Sequence, residues 1–139
     1  MNPINVETEK AEIERLMLSM VQADNDKDLE KLVTYSTNDV IAHMQGVPEI
    51  VGIKEYRRIS SEFMTETGFM TFDTTRIELS KDGSMAYLTG VYTYASKDWR
   101  SDSYFNSSEV EDEGQMLVVW RNTEDGWKVA AMTSMSGKS

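Results

Sequence analysis

Two Asp-Gly pairs in the second half of the chain constrain its fold more than any other feature. Asp82-Gly83 and Asp125-Gly126 each separate two runs that are rich in β-branched and aromatic residues. Asp-Gly favours tight hairpin turns because glycine accepts the positive φ that these turns require. The sequence therefore predicts two consecutive antiparallel hairpins, from FMTFDTTRIELS with SMAYLTGVYTYAS and from QMLVVWRNT with GWKVAAMTSMS.

The segment 96–114 between the two hairpins is polar, acidic and too long for a tight turn. It predicts either a loop or the ends of two long strands. Its acidic residues Glu109, Glu111, Asp112 and Glu113 lack the Asp and Gly spacing of a calcium-binding loop. The cluster therefore resembles a cation site by composition only.

The first half of the chain predicts three helices around one short strand. EKAEIERLMLSMVQAD places its apolar residues at three- and four-residue spacing, DLEKLVTYS forms a short second helix, and IKEYRRISSEFM forms a third. The β-branched run VIAHM predicts a strand between the second and third helices. This order predicts an α+β fold in one domain over 1–139, with three helices packed on a curved, mostly antiparallel sheet.

Charge and composition exclude several classes of function. The chain has 24 acidic and 14 basic residues, and its formal charge of −10 opposes binding to nucleic acid or to an anionic membrane. Cysteine is absent and there is one histidine, so disulfides and the usual zinc sites are excluded. No run approaches the ~20 apolar residues of a membrane span. We expect a soluble cytoplasmic protein without a metal or cofactor.

Four motifs spread over nearly the whole chain are shared with a known superfamily. They are Asp28-Leu29 in the second helix, Asp39 near the first strand, Gly52 before the third helix, and Trp120 paired with Trp127 across the last hairpin. With these motifs the chain resembles the nuclear transport factor 2-like superfamily, especially its SnoaL-like and ketosteroid isomerase-like members. The resemblance implies a cone-shaped fold whose helix-lined pocket is closed by a bent sheet. Such pockets serve isomerases, dehydratases, cyclases and non-catalytic binding proteins, so the fold does not decide the function.

The resemblance also implies where acid–base groups would lie. In ketosteroid isomerase-like members, an aspartate on the first strand moves the proton, and a tyrosine and a protonated aspartic acid stabilise the oxyanion. SnoaL-like relatives often carry histidines on the last strand as well. The matching positions in this chain all hold residues that cannot titrate: Met44 for the base, Met20 for the tyrosine, and Met116, Leu117, Ala131 and Thr133 on the last two strands.

His43 is the only histidine, which makes it the obvious candidate for proton transfer. Strand residues alternate between faces, so if Met44 faces the pocket then His43 points away with Ile41. Catalysis would also need a partner that orients the ring. The sequence therefore favours a structural or interface role for His43 over a catalytic one.

Two functions remain open. The favoured one is a small-molecule-binding protein without the usual acid–base residues, with a mostly apolar pocket lined by Met20, Met44, Tyr56, Trp120 and Thr133. The alternative is an isomerase, dehydratase or cyclase acting on a hydrophobic carbonyl compound through unusual groups: Asp73, His43, or a tyrosine hydroxyl, with Tyr87 facing opposite Tyr92 and Tyr94. A carboxylate or imidazole that opens into the cavity would distinguish the two functions.

The long strands also predict an assembly. Residues 84–96 and 115–122 carry apolar side chains on both faces, whereas the helices can cover only one face of the sheet. An uncovered apolar face usually binds a partner. The sequence therefore predicts a homodimer built on the sheet.

Overall fold

The computed structural model describes residues 4–66, 68–95 and 110–137. Within them lie three helices and six strands. They are α1 (Val6–Asn25), α2 (Leu29–Val33), β1 (Ser36–Met44), β2 (Ile50–Val51), α3 (Ile53–Glu66), β3 (Met70–Leu79), β4 (Met85–Ala95), β5 (Val110–Thr123) and β6 (Gly126–Ser136). The predicted α+β fold is confirmed. The short strand β2 was not predicted, because its two residues lie inside a segment that reads as a loop.

The six strands form one sheet in the order β2-β1-β6-β5-β4-β3. Only the pairing of β1 with β6 is parallel among the described strands. Both predicted hairpins are present, and the glycines of their turns have positive φ, at 71° for Gly83 and 98° for Gly126. Because β5 begins at Val110, the end of the acidic segment belongs to a strand, while 96–109 lies outside the described residues.

Three residues, 26–28, connect the end of α1 to the start of α2. Lys27 adopts a left-handed conformation with φ of 58°, and its N–H donates to the carbonyl of Asp24 at 3.1 Å. The N–H of Asp28 reaches back to the carbonyl of Ala23 at 2.9 Å. These two bonds form a Schellman motif, in which a left-handed residue closes the last helical turn. The Asp28 side chain then caps α2, which begins after only three intervening residues.

Asn25 connects the end of α1 to the start of β3. Its side-chain amide donates to the Met70 carbonyl at 2.9 Å, and its side-chain oxygen accepts from the Met70 N–H at 2.7 Å. This reciprocal pair satisfies the two backbone groups of Met70 that face the helix, and only 5% of Met70 is exposed. The last turn of α1 is therefore held at a fixed position over the sheet.

The two faces of the sheet differ in their surroundings. The inner face packs against the helices around fully buried side chains such as Ile13, Val40, Leu88, Trp120 and Val129. The outer face leaves several apolar side chains exposed, among them Ile41, Val51, Val91, Leu117 and Met135. None of the helices in the described part of the chain combines the length and the hydrophobicity needed to cross a membrane.

Candidate functional site

A cavity of about 520 Å³ lies between the helices and the inner face of the sheet. Its wall is mostly apolar, with six of the ten methionines of the chain: Met17, Met20, Met44, Met70, Met116 and Met132. Unbranched thioether side chains adapt to the shape of a ligand. This wall can therefore accommodate apolar molecules of different shapes. The polar groups on the wall are one carboxyl, three tyrosines, three serines and one glutamine.

Asp24 supplies that carboxyl, from the last full turn of α1. It follows Met17, Met20 and Val21 at seven, four and three residues, so all four side chains share the face of the helix that lines the cavity. Burial raises the pKa of the Asp24 carboxyl. The charge of Lys27 and a hydrogen bond from Tyr94 act in the opposite direction but do not cancel the effect. An acid that opens into the cavity is the feature that distinguishes the two functions predicted from the sequence.

Two tyrosines, Tyr94 and Tyr56, interact with this carboxyl. The Tyr94 hydroxyl donates to Oδ2 of Asp24 at 3.4 Å, and burial together with the charge of Asp24 raises its pKa well above the ordinary value. Burial, and then the charge of Asp24, raises the pKa of Tyr56 to about 12. Both hydroxyls therefore stay protonated at neutral pH and can donate hydrogen bonds. The ring of Tyr92 packs edge-on against Tyr94, with 5.8 Å between the ring centroids.

The structure places three of the five predicted pocket residues on the cavity wall. Met20, Met44 and Tyr56 line the cavity. The prediction that Trp120 and Thr133 line it is wrong. Trp120 faces inward but is completely buried in the core and does not line the cavity, whereas Thr133 is exposed on the outer face of the sheet.

A β-bulge at Ala130 explains the error at Thr133. Val119 pairs with Ala131 and Trp120 pairs with Val129, so Ala130 is an extra residue on β6. Beyond the bulge, the alternation of faces shifts by one residue. Met132 and Ser134 therefore line the cavity, and the predicted inward positions Ala131 and Thr133 point outward.

The other candidates for proton transfer lie outside the cavity. His43 is exposed on the outer face, as the alternation predicts, and its Nε2 lies 2.5 Å from Oε2 of Glu49. Asp73 is exposed on the same face. Tyr87 also faces away from Tyr92 and Tyr94, as predicted. Of the acids, imidazole and tyrosines considered, only Tyr56, Tyr92, Tyr94 and the unpredicted Asp24 contribute to the cavity wall.

A metal centre has no support in the described residues, where no group of three or more His, Cys, Asp or Glu side chains could hold an ion. The structure does not test whether the acidic cluster binds a cation. Glu109 and the side chains of Glu111 and Asp112 lie outside the described part of the chain. The polar groups on the described wall of the cavity can transfer protons and form hydrogen bonds.

Several solved structures share this fold. A ketosteroid isomerase-like protein from Erwinia carotovora atroseptica SCRI1043 is 19% identical over 91% of this chain and 95% of its own, with a TM-score of 0.73. An NTF2-like protein of unknown function from Pseudomonas putida KT2440 is 18% identical over 98% and 91%, with a TM-score of 0.77. An NTF2-like protein from Streptomyces avermitilis, provisionally named a dehydratase, is 18% identical over 96% and 99%, with a TM-score of 0.73. At these identities the similarity establishes the fold alone.

Comparison by sequence is more selective. No curated protein matches the chain. The family model of the SnoaL-like domain matches residues 13–134. This range includes most of α1, all of β1 to β5, and β6 as far as Ser134. The chain therefore belongs to the SnoaL-like domain family.

Proposed function

We propose that this protein is an acid–base enzyme that acts on a small, hydrophobic carbonyl compound bound in the cavity. The observation that carries the proposal is the carboxyl of Asp24, which lines a mostly apolar cavity. Burial raises its pKa toward the range where a carboxylate is an effective general base at neutral pH. Binding of an apolar ligand needs only the apolar wall, whereas proton transfer needs a buried acid such as Asp24.

The reaction class follows from the groups around Asp24. Its carboxylate removes a proton from the carbon next to the substrate carbonyl, and the C–H electron pair forms an enolate. The hydroxyl of Tyr56, or that of Tyr94 once it turns away from Asp24, donates a hydrogen bond to the enolate oxygen, where the negative charge accumulates. Return of the proton to a different carbon isomerises the substrate, whereas its transfer to a β-hydroxyl group releases water. Isomerase and dehydratase chemistry therefore share this first step.

A binding protein without turnover is the second candidate. It is supported by Met20 and Met44, which occupy the positions where the resemblance to ketosteroid isomerase-like proteins implies a tyrosine and a base. In that case Asp24 would act only as a hydrogen-bonding group for the ligand. The two candidates share the ligand cavity and differ in whether Asp24 moves a proton.

Exchange of hydrogen for deuterium in a simple ketone tests the proposal without the natural substrate. 2-Tetralone is incubated with the protein in deuterium oxide, and deuterium incorporation next to the carbonyl is followed by NMR. We expect the protein to accelerate exchange and Asp24→Asn to lose about 10²-fold or more of that acceleration. Asp73→Asn is the matched control, because it makes the same chemical change on the outer face.

Two results would contradict the proposal. Equal exchange rates for the wild type and Asp24→Asn would remove Asp24 from the reaction. Binding of the ketone without any acceleration of exchange by the wild type would favour the second candidate.

We also propose that the protein forms a homodimer through the outer face of its sheet. The strand register places Ile41, Ala131 and Val119 side by side on three neighbouring strands. Leu117 and Val91 lie on the same face, with 38% and 42% of their surface exposed. Burying these side chains against a second copy would remove a contiguous apolar patch from water. The oligomeric state in solution tests this proposal.

A further inference from the structure

We propose that the cavity selects its ligand by charge: it accepts uncharged hydrophobic carbonyl compounds and rejects carboxylates and phosphates, with Asp24 as the residue that excludes anions. This inference rests on the proposed function, because it specifies the class of substrate for the same site. Charge selection requires only that the ligand binds, whereas the proposed function also requires that Asp24 transfers a proton.

The described wall of the cavity carries no compensating positive charge. Among its lining residues, none is a lysine, arginine or histidine, and Asp24 is the one carboxylic acid. An anionic ligand would therefore meet a carboxylate and apolar groups, with only hydroxyls and one carboxamide to replace its hydration shell. The formal charge of −10 on the whole chain acts in the same direction.

The basic side chains nearest the cavity in sequence are engaged elsewhere. Lys27 lies one turn beyond Asp24, and its Nζ donates to the Gly68 carbonyl at 2.8 Å. Arg57 follows the cavity residue Tyr56 but forms an ion pair with Glu30 of α2. Neither basic side chain lines the cavity. The charge of Lys27 acts on Asp24 from outside the cavity wall and only partly offsets the effect of burial. A carboxylate on the ligand would therefore meet the charge of Asp24 without a cation of the wall to bind it.

The polar groups that remain fit a neutral carbonyl compound. Tyr56 and Ser60 offer hydroxyls to a carbonyl oxygen, whereas the Tyr94 hydroxyl donates to Asp24. These few neutral donors suit one carbonyl oxygen better than a charged group that needs several strong donors. The methionine-lined wall accommodates the hydrocarbon part of the molecule. The shape and hydrogen-bonding groups of the cavity thus permit ligands with different carbon skeletons. The cavity discriminates among ligands by their charge.

Three naphthalene compounds of similar size test charge selection directly. 2-Acetonaphthone is neutral, 2-naphthoate is an anion, and 2-naphthylmethylamine is a cation at neutral pH. Calorimetry should show that the wild type binds the ketone at least tenfold more tightly than the carboxylate. In Asp24→Asn, the two affinities should fall within about threefold of each other. Asp73→Asn, which changes the net charge equally but outside the cavity, should keep the wild-type discrimination.

Other results would overturn the inference. Carboxylate binding by the wild type as tight as ketone binding would refute charge selection, and so would discrimination that persists unchanged in Asp24→Asn. Failure of all three compounds to bind would refute it as well, because the cavity would not accept small aromatic molecules. If Asp24→Asn does not fold, Asp24→Ser removes the same charge with a smaller side chain.

The amine separates this inference from the proposed function. Amine binding tighter than ketone binding, lost in Asp24→Asn, would support charge selection by Asp24. If the wild type also failed to accelerate deuterium exchange, the acid–base role would be refuted while charge selection survived. Conversely, exchange that depends on Asp24 together with tight carboxylate binding would refute only charge selection.

Discussion

Replacing Asn25 with alanine should destabilise the protein by about 2.5–4.5 kcal/mol. The change removes both hydrogen bonds between the Asn25 side chain and the backbone of Met70, at 2.7 and 2.9 Å. Each bond is worth about 1 kcal/mol net, and an abandoned buried donor or acceptor adds about 1–3 kcal/mol. Because Met70 is buried, water can replace the lost partners only in part. The better helix propensity of alanine offsets roughly 0.5 kcal/mol of this loss.

Urea denaturation measures this loss, and Gln22→Ala provides the control. Gln22 lies on the same helix, and its amide donates to Asp26 at 2.9 Å between exposed groups, so its removal should cost less than about 0.5 kcal/mol. Looser attachment of α1 should also admit water to Asp24 and lower its pKa toward the ordinary value, which carbon NMR of the carboxyl detects. A loss for Asn25→Ala no larger than that for Gln22→Ala would refute the role assigned to the Asn25–Met70 pair.

Three further predictions concern the charge of the cavity, its wall and the outer face. Burial raises the pKa of Asp24 in the folded protein, so folding favours its protonated form. At pH values above the pKa of Asp24 in the folded protein, Asp24→Asn should therefore raise the free energy of unfolding. The gain should be about 1.4 kcal/mol for each unit by which folding raises that pKa. Below the pKa of Asp24 in the unfolded chain, the substitution should have little effect. Urea titrations at acidic and neutral pH that gave the same difference would refute this. In calorimetry, His43→Gln should leave the affinity for 2-acetonaphthone within about threefold, whereas Met44→Asp should weaken it by about 1–3 kcal/mol; the reverse ranking would mean that β1 faces the other way. Light scattering should find a dimer for the wild type and a monomer for Leu117→Asp, and a wild-type monomer at micromolar concentration would exclude the proposed interface.

The sequence predicted the fold well because its signals are local. The Asp-Gly turns at Gly83 and Gly126 specify two hairpins, and the alternation of β1 correctly turns Met44 inward and His43 outward. The end of α1 carried a weaker signal, since Lys27 occupies a left-handed position that is usually held by glycine. Its neighbour Asp28, which caps the next helix, indicated the break.

The site was less predictable, for three physical reasons. Asp24 was missed although it continues the three- and four-residue spacing of the apolar face of α1, because a carboxyl at a helix end reads as a solvent-exposed residue. Thr133 was misplaced because the bulge at Ala130 reverses the faces beyond it, and a bulge without glycine leaves no signal in the strand pattern. Trp120 was correctly turned inward, but sequence periodicity cannot distinguish the core from the wall of a cavity within it.

The structure of the protein bound to 2-tetralone tests the central claim most directly. The proposed mechanism predicts that the ketone occupies the cavity with the carbon next to its carbonyl about 3–3.5 Å from a carboxyl oxygen of Asp24. It also predicts that the carbonyl oxygen accepts a hydrogen bond of about 2.7–3.1 Å from Tyr56 or Tyr94. A ketone bound in the cavity with its carbonyl directed away from these three side chains would contradict the assignment of Asp24 as the base.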